Sequence, residues 1–194
     1  MIIGKKIEDI ELAAYFPEVG GIEKIKVSDY RGKWLVVLFY PADFTFVCPT
    51  ELRDLQAIYP TLKELNAEAI SVSTDSVFAH VAWRDMEGLL QNVTFPMISD
   101  QLGKMSRQFE VFDENSGKAL RGVFLIDPEG VVKGVDISMY DVGRNLSEVL
   151  KRLKAYQYVE EHPGVQCPVG WDAGDKPIDT SLKNIGKVAE FLSD

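Results

Sequence analysis

Cys48 stands where an apolar run gives way to a helix, in Phe44-Thr-Phe-Val-Cys-Pro-Thr-Glu51. Pro49 suits the first position of a helix, because its missing N–H would go unpaired there in any case. Cys48 then falls at the N-cap or in the first turn, among free backbone N–H groups at the positive end of the helix dipole. That setting favours the thiolate, the form of cysteine that attacks effectively. The carboxyl end of a buried strand is also where open α/β sheets bind ligands. The plainer alternative is a small buried residue at a helix start.

Nothing adjacent to Cys48 can act as a base. Asp43, Glu51 and Asp54 are acids whose negative charge disfavours a thiolate, so a cation must come from elsewhere in the fold. Periodicity alone does not choose it. A Cys-His hydrolase would need His80 or His162 close by, and neither sits in a local motif. Zinc is disfavoured, since structural sites bring ligands in close pairs and His162-Pro-Gly-Val-Gln-Cys167 is the one local pairing. The absence of a Cys-x-x-Cys motif removes a thioredoxin-type oxidoreductase. The other cysteine, Cys167, leaves redox chemistry as the sharper reading.

Composition narrows the partners. The formal charge is −9, from 21 basic against 30 acidic residues, with no basic block. That opposes binding to nucleic acid, which relies on Lys and Arg at phosphates. The N-terminus lacks the apolar stretch of a signal peptide, and the longest apolar run, Trp34 to Tyr40, is too short to span a bilayer. A cytoplasmic protein with no membrane partner is expected. In that compartment structural disulfides are uncommon.

The elements that must position Cys48 alternate in period. Trp34 to Tyr40 reads as a strand buried on both faces and closed by Pro41. Thr50 to Asn66 follows as a helix that Pro60 should kink or divide. Ala69 to Ser73 is a second strand, and Ser76 to Met86 a helix with Val77, Phe78, Val81 and Ala82 as its apolar positions. Phe95 to Ile98 is a short strand and Gln101 to Phe109 a short helix. Gly122–Ile126 and Val131–Ile137 flank Asp127-Pro-Glu-Gly130, a type I turn, and form a hairpin. Asn145-x-x-Glu148 resembles a capping box for a last helix with Leu146, Val149, Leu150, Leu153 and Tyr156 inward. The order β-α-β-α-β-α-β-β-α predicts an α/β fold with a mixed sheet flanked by helices. A thioredoxin-like domain over residues 1–160 and a tail over 161–194 match it.

Four segments carry a family resemblance, in order along nearly the whole chain. Tyr40-Pro-Ala-Asp-Phe-Thr-Phe-Val-Cys-Pro-Thr-Glu51 resembles the active-site segment of the typical two-cysteine peroxiredoxins. His162-Pro-Gly-Val-Gln-Cys-Pro168, followed by Trp171, resembles their resolving-cysteine segment. Asp75-Ser-Val-Phe-Ala-His-Val-Ala-Trp83 and Arg121-Gly-Val-Phe-Leu-Ile-Asp127 are similar to further segments of that family. The bacterial alkyl hydroperoxide reductase C subgroup is the nearest in character.

The resemblance implies a thioredoxin-like thiol peroxidase that needs no cofactor. It makes Cys48 the peroxidatic and Cys167 the resolving cysteine. Thr45 becomes the hydroxyl that bonds the bound peroxide, Pro41 the ring that shields the pocket, and Arg121 the missing cation. Glu51 and Arg144 become the polar network that orients Arg121, where an exposed salt bridge is the plainer reading. His80 and Trp83 are read as packing or interface residues. The resemblance further implies a hydroperoxide substrate, resolution across a homodimer joined edge to edge, and a ring of five dimers. The expected reductant is a dithiol protein, thioredoxin-like or a dedicated flavin-linked reductase. The chain lacks the Gly-Gly-Leu-Gly loop and the C-terminal Tyr-Phe pair of easily over-oxidised relatives, with Phe191-Leu192 the nearest substitute. Resistance to over-oxidation is therefore expected.

Overall fold

A computed structural model describes residues 1–191, without the side chains of Glu190 and Phe191. Leu192, half of the Phe191-Leu192 pair, and the end of the expected tail lie outside the described residues. The chain forms two compact units, residues 1–146 and 147–194.

The first unit is built on a seven-stranded sheet in the order β2-β1-β5-β4-β3-β8-β9. In its interior β3 (Trp34–Phe39) runs parallel to β4 (Ala67–Ser73), the central strand, which is parallel to β5 (Met97–Ser99). The apolar run does what its composition requires, for every residue of β3 is buried. Leu35, Val37 and Phe39 enter one core cluster with Ile70, Val72, Phe109 and Phe124. The intervening Trp34, Val36 and Leu38 turn to the other face by the pleat and are equally buried. Phe39, Phe109 and Phe124 meet with ring centroids 4.8 to 5.6 Å apart, within the range of favourable edge contacts.

Two strands of the main sheet went unread in the sequence. β1 (Leu12–Phe16) and β2 (Gly21–Ile25) form an antiparallel hairpin that joins the sheet through β1 and β5. β2 is an edge strand with its middle three residues exposed, so it carries little apolar signal. The hairpin predicted at the other edge is present, as β8 (Arg121–Ile126) and β9 (Val132–Ser138). Its turn closes with Gly130 N–H to Asp127 O at 2.8 Å. A minor pair, β6 (Phe112–Asp113) and β7 (Lys118–Ala119), precedes it.

Helix α1 (Cys48–Glu64) runs undivided through Pro60, contrary to a break there. Pro60 lies on the exposed side, while Leu52, Leu55, Tyr59 and Leu62 bury the other. β5 begins at Met97 rather than Phe95, since Pro96 has no N–H to give a ladder. α3 (Lys104–Gln108) is shorter than expected, because Gly103 sits at φ +64 and the Asp100 carboxylate bonds the N–H groups of Met105 and Ser106. In α2 (Val77–Met86) the inward stripe is Val77, His80 and Trp83, while Phe78 is 73% exposed. Phe78 and Ala82 were expected inside. The stripe turns because His80 finds hydrogen-bond partners in the interior and can be buried.

The second unit holds most of α4 (Leu146–Glu161), in which Leu146, Val149 and Leu153 are buried as the periodicity requires. A small hairpin of β10 (Val165–Gln166) and β11 (Ile178–Asp179) follows. Among the described residues no helix is long and apolar enough to cross a membrane.

Candidate active site

Cys48 is the first residue of α1, one place earlier than Pro49's preference for the helix start implies, and it is fully buried. Val47 O accepts from Thr50 N and Oγ1 at 3.0 and 2.6 Å, which fixes the turn. The chain reaches Cys48 from the end of β3 through residues 41–47.

The cation follows from strand register. β8 lies antiparallel beside β3 with Phe39 opposite Gly122. Arg121, one residue earlier on β8, is therefore set opposite the point where β3 leaves the sheet for the Cys48 loop. Its Nη1 donates to Cys48 Sγ at 3.5 Å and to Glu51 Oε2 at 2.7 Å, while Nε donates to the carbonyl of Tyr140 at 2.8 Å. Arg144 closes the network on Glu51: its backbone N and Nε donate to Oε1, and Nη2 to Oε2, each at 2.8 Å.

Glu51, Arg121 and Arg144 are all buried, which excludes the exposed salt bridge. Burial pushes the Glu51 carboxyl up, but the hydrogen bonds and charge of Arg144, with the charge of Arg121, more than offset it. The carboxyl is held below its ordinary range. The other nearby acids are also engaged. Asp54 pairs with Arg53 at the surface, and Asp43 faces His80 and Tyr40. Burial raises the Asp43 carboxyl, with His80 and Tyr40 partly opposing it.

Thr45 and Pro41 share a cavity of about 380 Å³ with Cys48 and Arg121. Thr45 Oγ1 donates to Ala42 O at 2.8 Å, so its lone pairs remain available to a ligand. Phe46, Lys118 and Tyr140 line the outer part. Six of the seven site residues named from sequence are thus brought together. His80 and Trp83 are packing residues of the first unit, 0% and 1% exposed. Tyr140 was missed: it acts through its carbonyl, which no side-chain pattern reveals. Its hydroxyl donates to Asp113, whose carboxyl is held down to about 2 chiefly by hydrogen bonds from Ser116 and Tyr140.

Cys167 belongs to the second unit, directly after β10, and neither cysteine is in a disulfide. It is half-buried, with Sγ directed at Ala155 O at 3.8 Å, and burial raises its thiol. It opens on a cavity of about 560 Å³ lined by Lys151, Tyr156, Val159 and Trp171, among others. His162 stacks on Tyr158 at 4.1 Å between centroids and is occupied there.

The AhpC/TSA family model matches residues 3–135. Alkyl hydroperoxide reductase C of Staphylococcus epidermidis is 43% identical over 187 residues, covering 96% of this chain and 99% of that protein. The Bacillus subtilis protein of the same name is also 43% identical with the same coverage. Among solved structures, Enterococcus faecalis AhpC matches with a TM-score of 0.82 and 42% identity, over 86% of this chain and 99% of that one. The reduced 2-Cys peroxiredoxin of Plasmodium vivax matches with a TM-score of 0.91 and 28% identity over the whole of both chains.

Proposed function

The chain belongs to the AhpC/TSA family, whose thioredoxin-like members here are thiol-dependent hydroperoxide reductases, and on that premise we propose that Cys48 is the attacking thiol and Cys167 the resolving one. The protein is a peroxiredoxin: it reduces hydroperoxides with a thiol and is returned to its starting state by a reductant. The observation that carries the assignment is the contact from Arg121 to Cys48 Sγ at 3.5 Å, in a cavity that also holds Thr45 and Pro41.

The Cys48 thiolate attacks the terminal oxygen of ROOH and the O–O bond breaks. The leaving oxygen takes a proton and departs as ROH, and Cys48 is left as a sulfenic acid. Arg121 donates to the charge that develops on the breaking bond, Thr45 holds the peroxide, and Pro41 screens the pocket. Glu51 and Arg144 keep the Arg121 fork aimed at the sulfur. Cys167 of a second subunit then attacks the sulfenic sulfur and expels water, which leaves a disulfide. Since Cys48 is fully buried, the first turn of α1 must unwind before the two sulfurs reach bonding distance.

The peroxidase domain is residues 1–160 and the segment 161–194 carries the resolving thiol. The partner copy joins along an edge strand. β9 fits that role: it ends the sheet order, its first residue Val132 bonds Gly4 and Lys5 of the N-terminal segment, and Ile137 and Met139 are exposed in and just after it. Exposed Phe78 on α2, and Phe44 against Trp83 of the same helix, supply an apolar contact for assembling dimers into a ring of five. The reductant is a dithiol protein, thioredoxin-like or flavin-linked, and the setting is the cytoplasm.

The test is disulfide mapping with sedimentation. Oxidised wild type should run as a Cys48–Cys167 dimer on non-reducing gels, Cys167→Ser should not, and oxidation should loosen the ring. A monomeric band from fully oxidised wild type would exclude resolution between subunits.

A further inference from the structure

Residues 41–47 carry a strained position, for Phe44 sits at φ +54, where a side chain is disfavoured. Asp43, just before it, is anchored three ways. Oδ1 accepts from the Tyr40 hydroxyl at 2.8 Å, Oδ2 lies 2.7 Å from His80 Nδ1, and its backbone N–H donates to Asp75 Oδ2 at 2.9 Å. The Asp43 and His80 side chains are 1% and 0% exposed.

The other ring nitrogen, Nε2, faces the carbonyl oxygen of Ile98 at 3.1 Å. A carbonyl only accepts, so Nε2 carries a hydrogen. Nδ1 then meets Asp43 with a second ring proton, or as a lone pair facing a proton on the carboxyl. In both cases the pair holds one proton more than a neutral imidazole beside a carboxylate. Without that proton, one contact sets lone pair against lone pair. With hydrogen on Nε2 the contact to Asp43 is lost; with hydrogen on Nδ1 the contact to β5 is lost. Tyr40 and Asp75 are the other titratable groups facing the pair. Tyr40 donates to Asp43, and the negative charge of Asp75 favours keeping the shared proton. Burial raises the Asp43 carboxyl and acts in the same direction.

We propose that the proton shared by Asp43 and His80 latches the loop 41–47 in its strained form and so governs how readily the Cys48 turn unwinds. The pair positions rather than reacts. With the latch closed, Cys48 stays under Arg121 and meets peroxide. With it open, the turn unwinds sooner and Cys167 gains access. The inference rests on the assignment of Cys48 and Cys167 above.

Asp43→Asn separates the bonds from the proton. The amide oxygen accepts from Tyr40 and the amide N–H donates to His80 Nδ1, with Nε2–H unchanged, so both contacts survive without a shared proton. Asp43→Ala removes the latch. Two readouts apply: hydrogen exchange of the peptide over residues 41–52 in reduced protein across pH, and two-phase stopped flow with peroxide. The first kinetic phase, Cys48 oxidation, tests the cysteine assignment; the second, disulfide formation, tests the latch.

Relative to Asp43→Asn, wild type should lose protection and resolve faster as pH rises; the ratio cancels the ionisation of Cys167, common to both. Asp43→Ala should be open at every pH, with resolution faster by about tenfold, the scale of one charged buried hydrogen bond. Parallel pH profiles for wild type and Asp43→Asn would overturn the shared proton. Wild-type protection in Asp43→Ala would overturn the latch, and the wild-type exchange profile decides even if that variant does not fold. A missing first phase in all variants would instead refute the Cys48 assignment.

Discussion

Arg121→Gln tests the proposal that the Arg121 charge stabilises Cys48. Arg121 Nη1 lies 3.5 Å from Sγ in a buried setting. Two unit charges about 4 Å apart interact by on the order of 4 kcal/mol at an effective dielectric near 20. Glutamine leaves a neutral donor, so the minimum loss is that of one charge-assisted hydrogen bond, about 1.5–3 kcal/mol. The rate of Cys48 oxidation should therefore fall by between about tenfold and about a thousandfold. Arg144 still holds Glu51 through three hydrogen bonds, so the carboxylate is not orphaned and the variant should fold. Arg121→Lys should recover only part of the rate, because one ammonium cannot reproduce the fork that serves Cys48, Glu51 and Tyr140 together. The assay is stopped flow in a Cys167→Ser background, read through Trp83, which lies 6.3 Å from the Phe44 ring of the moving loop. A rate within about twofold of wild type would refute this role for Arg121.

Glu51 gives a pH dependence of known sign. Its folded carboxyl is held below the ordinary value, so its contribution is full above the unfolded value and is lost as pH falls through the folded one. Urea unfolding across acidic pH should therefore show falling stability in wild type and a flatter acid limb in Glu51→Gln. In the core, Phe124→Ala should lower stability by about 3–5 kcal/mol, with the slope of denaturant unfolding retained, because Phe124 is fully buried against Phe39 and Phe109.

What the sequence reveals depends on where the signal resides. β3 is legible because seven consecutive apolar residues, Trp34 to Tyr40, leave no polar face. β2 is not, since an edge strand with exposed Glu23 and Lys24 obeys hydrogen bonding more than burial. Cys48 is legible from local chemistry alone, a cysteine followed by proline at a helix start. Arg121 is not: its place beside Cys48 is set by the β3–β8 register, and the residues pointed to it only through family resemblance. His80 misled the helix pattern, because burial of a polar ring depends on Asp43 and Ile98, far from it in sequence. Tyr140 acts through a carbonyl, which every residue possesses.

The most direct test of the central claim is to trap the oxidised sulfur. Cys167→Ser protein receives one equivalent of hydroperoxide in the presence of a dimedone-type sulfenic acid reagent, and the adduct is located by peptide mass spectrometry. The expected result is one adduct per chain, on Cys48, with one equivalent of alcohol released. Peroxide consumed with Cys48 unlabelled, or consumed equally by Cys48→Ser, would contradict it.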